Sequence, residues 1–134
     1  MWEFYRSLRT SILLSSAGQQ PRAMLITSPL SGEGKTTTCI NTGIVFAQTG
    51  NRTLLVDLDM RKPMLARYLG VNGEGGMSTF LSGNSDLASQ IRQTAVPNLF
   101  LLPAGPIPPN PAELIGSDRM GEALELLEKH FKYV

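Results

Sequence analysis

The chain has 134 residues, 42% of them hydrophobic, and a formal net charge of +1. That length suits one domain or part of one, and the near-neutral balance supplies no broad basic face for nucleic acid. Cys39 is the single cysteine, so no internal disulfide can form and a reducing compartment fits, and no apolar run reaches the ~20 residues that cross a bilayer. In chain order, residues 2–15 carry Phe4, Tyr5, Leu8, Ile12 and Leu13 at three- and four-residue steps, which predicts an amphipathic helix. Trp2 on that helix serves either the core or a contact between subunits. Glu3, Arg6 and Arg9 come before any apolar stretch, so this end does not read as a secretory signal. Residues 16–21 read as a connecting loop. Residues 23–28 form an apolar run that predicts a strand buried on both faces of a parallel sheet. A helix is predicted over 35–49, stopped by Gly50. Residues 53–59 predict a second buried strand that ends in acid. Short helices are predicted at 63–69, 78–81 and 87–92, with a flexible glycine joint at 73–76. A third strand is predicted at 99–102. A rigid proline-rich loop follows at 105–111, then a helix at 112–115 and another, capped by Ser117, that runs through Glu128. Buried strands alternating with helices predict an α/β fold, a three-layer sandwich around a mostly parallel sheet.

The chemistry concentrates at Ser28 to Thr38, which reads SPLSGEGKTTT. An apolar strand before it and a helix after it are the context of a phosphate-binding loop. Backbone N–H groups of such a loop and of the helix N-terminus point at anionic oxygens. Ser31, Gly32, Glu33, Gly34, Lys35, Thr36 and Thr37 form the candidate cradle. Lys35 brings a mobile positive charge to the terminal phosphates, and the Thr36 hydroxyl can ligate Mg²⁺. Pro29 stands where the general pattern G-x-x-x-x-G-K-[ST] has its first glycine, and it has no N–H to donate. The bland alternative is a glycine-rich turn with a surface lysine. The second constellation is Asp57-Leu58-Asp59-Met60-Arg61. Strand alternation places Asp57 and Asp59 on one face, at the C-terminal end of a strand, where α/β folds bind ligands. They can hold Mg²⁺ or accept the proton of an attacking hydroxyl; the alternative is a strand end turning into solvent. Tyr5, Tyr68 and Tyr133 are scattered and read as packing residues. His130 reads as a helix-end group and Cys39 as a small buried residue.

Together these stretches resemble the cytoplasmic kinase domain of bacterial tyrosine kinases of capsule and exopolysaccharide production, a branch of the P-loop NTPases. Glu3 to Arg9 is similar to that family's E-x-x-R-x-x-R oligomerisation helix. Residues 28–37 resemble its Walker A loop, and 54–61 its Walker A′ strand with D-x-D-x-R. Residues 101–105 followed by Pro108-Pro109-Asn110-Pro111-Ala112-Glu113-Leu114 resemble its P-P-N-P-x-E-L segment. The matches are collinear over nearly the whole chain. Leu30 stands where the related partitioning ATPases carry a signature lysine, which argues against that branch.

The resemblance implies an ATP-dependent protein-tyrosine kinase with ATP and Mg²⁺ as cofactors. Lys35, Asp57 and Asp59 would be catalytic: Lys35 on the β- and γ-phosphates, Asp57 as base toward the tyrosine hydroxyl, Asp59 supporting metal or tyrosine. Thr36, Asp57 and Asp59 would form the metal set. Glu3, Arg6 and Arg9 would join subunits into a homo-oligomer, with residues 1–16 as the oligomerisation helix of a single domain spanning 1–134. The tyrosine-rich tail of a neighbouring subunit and a membrane polysaccharide co-polymerase segment or adaptor would be partners. The place would be cytoplasmic, at the inner face of the plasma membrane. The family's Walker B strand and tyrosine tail would follow residues 131–134, so the fold is expected to be C-terminally incomplete and residues 23–28 to lack a neighbour. A nucleotide-dependent switch without kinase activity and an inactive nucleotide-binding fragment are the rival readings.

Overall fold

The computed structural model describes residues 2–15, 22–27, 34–83 and 86–134. In chain order its elements are α1 (Trp2–Leu14), α2 (Lys35–Ala47), β1 (Thr53–Val56), α3 (Leu65–Leu69) and α4 (Met77–Leu81). A 3-10 turn (Ala88–Gln90), β2 (Arg92–Gln93), β3 (Leu99–Leu102), α5 (Pro111–Ile115) and α6 (Asp118–His130) follow. β1 and β3 are parallel, with Thr53 opposite Leu99 and Val56 opposite Leu102. β2 adds antiparallel to β3, giving the order β1-β3-β2.

Alternation along these strands builds the three layers. Leu54 and Leu102 point to one side, into a core shared with Met77, Phe80, Met120, Ala123 and Leu127 of α4 and α6. Leu55, Leu99 and Leu101 point to the other, against Ala47 of α2 and Leu65 of α3. The helix α2 is apolar on more than one side because it is covered twice. Its Val45 and Phe46 pack with Tyr5 of α1 and with Tyr133, while Leu8, Ile12 and Leu13 of α1 cover the same cluster. Gly43 lets α2 approach the sheet: a Cβ there would lie 2.7 Å from a Leu55 methyl. The helix stops at Gly50, which has φ 86 and donates to the Ala47 carbonyl.

The structure differs from the sequence-based expectation at several places. Residues 22–27 form no strand. Met24 N–H donates to the Val134 carbonyl and Val134 N–H to the Arg22 carbonyl, and Leu54 N–H in turn donates to Tyr133. Among the described residues the segment is therefore tied to the sheet at its start, through residues 133–134, and a strand label needs a longer ladder. The helix predicted at 87–92 is a single 3-10 turn followed by β2. Asn98, at φ 67, turns the chain back so that Thr94 can bond the Leu99 carbonyl. A short antiparallel return of this kind leaves no periodic signal, and it makes the described sheet mixed rather than mostly parallel. Ser117 precedes α6 as expected, but its hydroxyl donates back to Leu114 and closes α5 instead of capping α6. Tyr5 and Tyr133 are buried as expected; Tyr68 is exposed.

Candidate active site

The site lies where β1 ends and α2 begins. Asp57 N–H donates to the Leu102 carbonyl, the last rung of the β1–β3 ladder, and from there the chain leaves the sheet. The predicted strand over 53–59 therefore ends at Val56. The reason is local. Asp57 Oδ1 accepts from the N–H of Asp59 (3.0 Å), and Asp59 Oδ1 accepts from the N–H of Lys62 (3.1 Å). The Asx turn at Asp57 and the side-chain bond of Asp59 to the N–H three residues on compete with extended backbone and win. Asp57 Oδ2 also accepts from Leu65 N–H at 3.3 Å, so this one carboxylate ties the strand end to the first residue of α3.

The two acids have different surroundings. Asp57 is buried, and burial pushes its pKa above the ordinary carboxylate value, with the nearby Asp59 charge adding to the rise and the backbone donors opposing it. Asp59 is half-exposed, with Oδ2 at 3.5 Å from Lys35 Nζ. Lys35 opens α2 directly after Gly34, whose φ of 79 a residue with a side chain adopts only with strain. Thr36, Cys39, Asp57, Asp59 and Lys35 all line one cavity of about 690 Å³. The turns, not the alternation of an extended strand, bring both acids to the same space.

Of the remaining predicted residues, Thr37 is exposed and outside that lining. Ser31, Gly32 and Glu33 lie outside the described residues, as do Pro29 and Leu30. The structure adds Lys62, a second cation on the cavity wall, whereas Arg61 of the sequence motif is exposed and does not line it. The signal for Lys62 was its place one residue beyond the D-x-D-x-R run. Thr36, Asp57 and Asp59 present only hard oxygen donors, the chemistry Mg²⁺ takes. Arg9 behaves differently from Arg6. Its guanidinium reaches 2.5 Å from the Val45 carbonyl, one of the acceptors left open at the C-terminus of α2, while Glu3 and Arg6 are exposed.

Two consequences can be measured. Cys39 is half-buried, and burial, with the Asp57 charge in the same sense and Lys35 against it, pushes its thiol up to about 11. Its thiolate fraction at pH 8 should be about a hundredfold below that of an ordinary thiol. Alkylation by iodoacetamide should be slower than for a free thiol by that order; a rate within threefold of free cysteine would contradict the burial. For Asp57 the sign is worked from its raised pKa. Between the ordinary value of 3.8 and the raised folded value, the native state holds more protons than the unfolded chain. Its contribution to stability therefore falls as pH rises through that window. Urea midpoints across the window should show this component in the wild type, and Asp57→Asn should remove it. An identical pH profile in both proteins would show the carboxylate to be unperturbed.

A family model described as the CobQ/CobB/MinD/ParA nucleotide binding domain matches residues 24–133. The chain belongs to this family. Within it, the chain is 35% identical over 132 residues to a Staphylococcus aureus protein named putative tyrosine-protein kinase CapB, covering 98% of this chain and 58% of that one. Its structure superposes on the kinase domain of the Escherichia coli tyrosine kinase ETK with a TM-score of 0.94 at 30% identity, covering 99% of this chain and 52% of that one. A more distant likeness is to the Pyrococcus horikoshii septum site-determining protein MinD complexed with Mg-ADP (TM-score 0.70, 27% identity, 84% and 46% coverage). The chain therefore spans about half the length of these relatives. Bacterial tyrosine kinases and MinD-like ATPases share the P-loop architecture that the sequence pattern predicts.

Proposed function

We propose that the chain is the ATP- and Mg²⁺-binding part of a protein-tyrosine kinase acting in exopolysaccharide or capsule production. The observation that carries this reading is the convergence of Lys35, Thr36, Asp57 and Asp59 on one cavity at a helix N-terminus. Ser31, Gly32, Glu33 and Gly34 complete the phosphate cradle with Lys35, Thr36 and Thr37. Lys35 neutralises charge on the β- and γ-phosphates, and Asp59 holds its ammonium toward the cavity. Thr36, with Asp57 and Asp59, holds Mg²⁺, which supplies further charge neutralisation when bound. In the transfer the phenol oxygen bonds to the γ-phosphorus as the bond to the ADP oxygen breaks. The phenol proton passes to the buried Asp57 carboxylate, whose raised proton affinity suits a base. The products are ADP and a phosphotyrosine.

The likeness to MinD supports a second reading, a nucleotide-dependent association switch. The exposed face of α1, with Glu3 and Arg6, is the proposed oligomer contact. Arg9 joins it only by giving up its bond to Val45. Among the described residues no helix is long and apolar enough to cross a membrane. We further propose a membrane co-polymerase segment or adaptor as a partner that holds the domain at the inner face of the plasma membrane, where the tyrosine tail of a neighbouring subunit is the substrate. Incubation of the purified chain with γ-labelled ATP, Mg²⁺ and a tyrosyl peptide tests the main reading. Label recovered as phosphotyrosine is expected. Release of labelled phosphate with no phosphotyrosine would favour the switch.

A further inference from the structure

The Asp59 carboxylate arranges two lysines, not one. Its Oδ2 faces Lys35 Nζ at 3.5 Å, while its Oδ1 accepts the N–H of Lys62 at 3.1 Å. The backbone of Lys62 is therefore fixed one carboxylate away from the ammonium that opens α2. It is restrained from the other side as well. Pro63 follows, and proline disfavours helical backbone in the residue before it. Three residues beyond Lys62, Leu65 N–H is held by Asp57 Oδ2. The loop from 57 to 65 is thus pinned by carboxylate–backbone bonds at several points, and it carries Lys62 on the wall of the cavity of about 690 Å³. Lys35 and Lys62 are the cations among the described residues of that wall. Arg61, one residue earlier, is exposed and outside it.

The two cations are not equally committed. Asp59 already offsets Lys35, whereas Lys62 has no carboxylate within ion-pair distance among the described residues. One positive charge therefore faces the cavity without a counter-charge. A nucleoside triphosphate brings one phosphate more than a diphosphate, and a charge-assisted bond from an ammonium to that phosphate is a contact that tells the two apart.

We propose that Lys62 is the second phosphate-contacting cation of the site, placed on the terminal phosphate so that the cavity prefers a nucleoside triphosphate to a diphosphate. The inference rests on the nucleotide-binding part of the proposed function and adds a specificity-determining residue to it. Lys35 meets the phosphates from the start of α2, and Lys62 meets the last of them from the end of β1. The exposed side chain of Lys62 follows the phosphate, while its bonded N–H keeps its root in place. Once the terminal phosphate has left, the diphosphate keeps Lys35 and loses Lys62, which favours its exchange for a new triphosphate.

The test is calorimetric titration of the purified chain, in Mg²⁺, with a non-hydrolysable ATP analogue and with ADP. Lys62→Gln keeps the backbone N–H that Asp59 holds and alters an exposed side chain, so the fold should stand. It should weaken the ATP analogue about tenfold and leave ADP within about twofold of wild type. Lys62→Arg, which keeps the charge, should restore binding of the analogue. Arg61→Gln removes the same charge one residue away and should leave the ratio of the two affinities as in wild type. Equal weakening of both nucleotides, no weakening of either, or the same selective loss in Arg61→Gln would each overturn the assignment. A wild-type chain that binds neither nucleotide would overturn the nucleotide reading itself, and the role of Lys62 with it. Selective loss in a chain that forms no phosphotyrosine would retire the kinase reading and leave Lys62 on the terminal phosphate.

Discussion

Lys35→Met is expected to lower phosphoryl transfer by about a hundred- to a thousandfold, the loss typical of removing one preorganised charge-stabilising group. The same change should hardly alter stability. Lys35 and Asp59 are paired at 3.5 Å, but their side chains are 41% and 38% exposed. A pair that open to water contributes less than about 1 kcal/mol. Methionine keeps the length and apolar stem of lysine, so the start of α2 remains packed. The melting temperature should therefore move by less than about 4 °C while transfer to a tyrosyl peptide collapses. If the variant keeps transfer within tenfold of wild type, the phosphate role of Lys35 is wrong, and with it the kinase reading.

Leu101→Ala should produce the opposite pattern, a large stability loss with the phosphate-binding groups untouched. Leu101 is 0% exposed, lies in the middle strand of the sheet, and packs in the core shared with Ala47, Leu55 and Leu65. That core is covered by α2 on one side, so the structure cannot collapse readily into the space left. Truncation of a buried leucine costs about 2–5 kcal/mol through lost transfer energy and the residual cavity. For a chain of this size that lowers the melting temperature by roughly 6–20 °C. A drop of less than 3 °C would mean that β3 is not the centre of the core. Because Leu101 does not line the cavity that holds Lys35, Thr36, Asp57 and Asp59, nucleotide affinity measured well below the transition should stay near wild type, separating folding from function.

The legible part of the fold is the part that local pattern specifies. β3 lies at 99–102 as the run of large aliphatic residues predicts, and α1, α2, α3 and α6 fall within two residues or so of their expected positions. Their apolar spacing and their Gly50 and Gly70 stops are local properties. The phosphate-loop motif is legible for the same reason, since it is written in consecutive residues, although 28–33 lie outside the described residues. The missed features depend on partners far along the chain. Residues 22–27 have the composition of a buried strand, yet strand geometry requires neighbours, and those described are residues 133–134 alone. The β2 return depends on Thr94 finding the Leu99 carbonyl. Arg9 reads as an intersubunit group until α2 presents the open carbonyl of Val45 to it.

By itself the sequence determined that this is an α/β chain with a phosphate loop followed by two acids, because strand and helix periodicity and loop chemistry are encoded over a few residues. Only the tertiary structure decided what the two acids are. Asp57 is buried and holds α3 to the end of β1, whereas Asp59 is open and paired with Lys35. Two aspartates two residues apart look alike in the chain. They become different when one carboxylate is taken out of water and answered by backbone N–H groups, since desolvation and hydrogen bonding, not residue type, set the proton affinity of each.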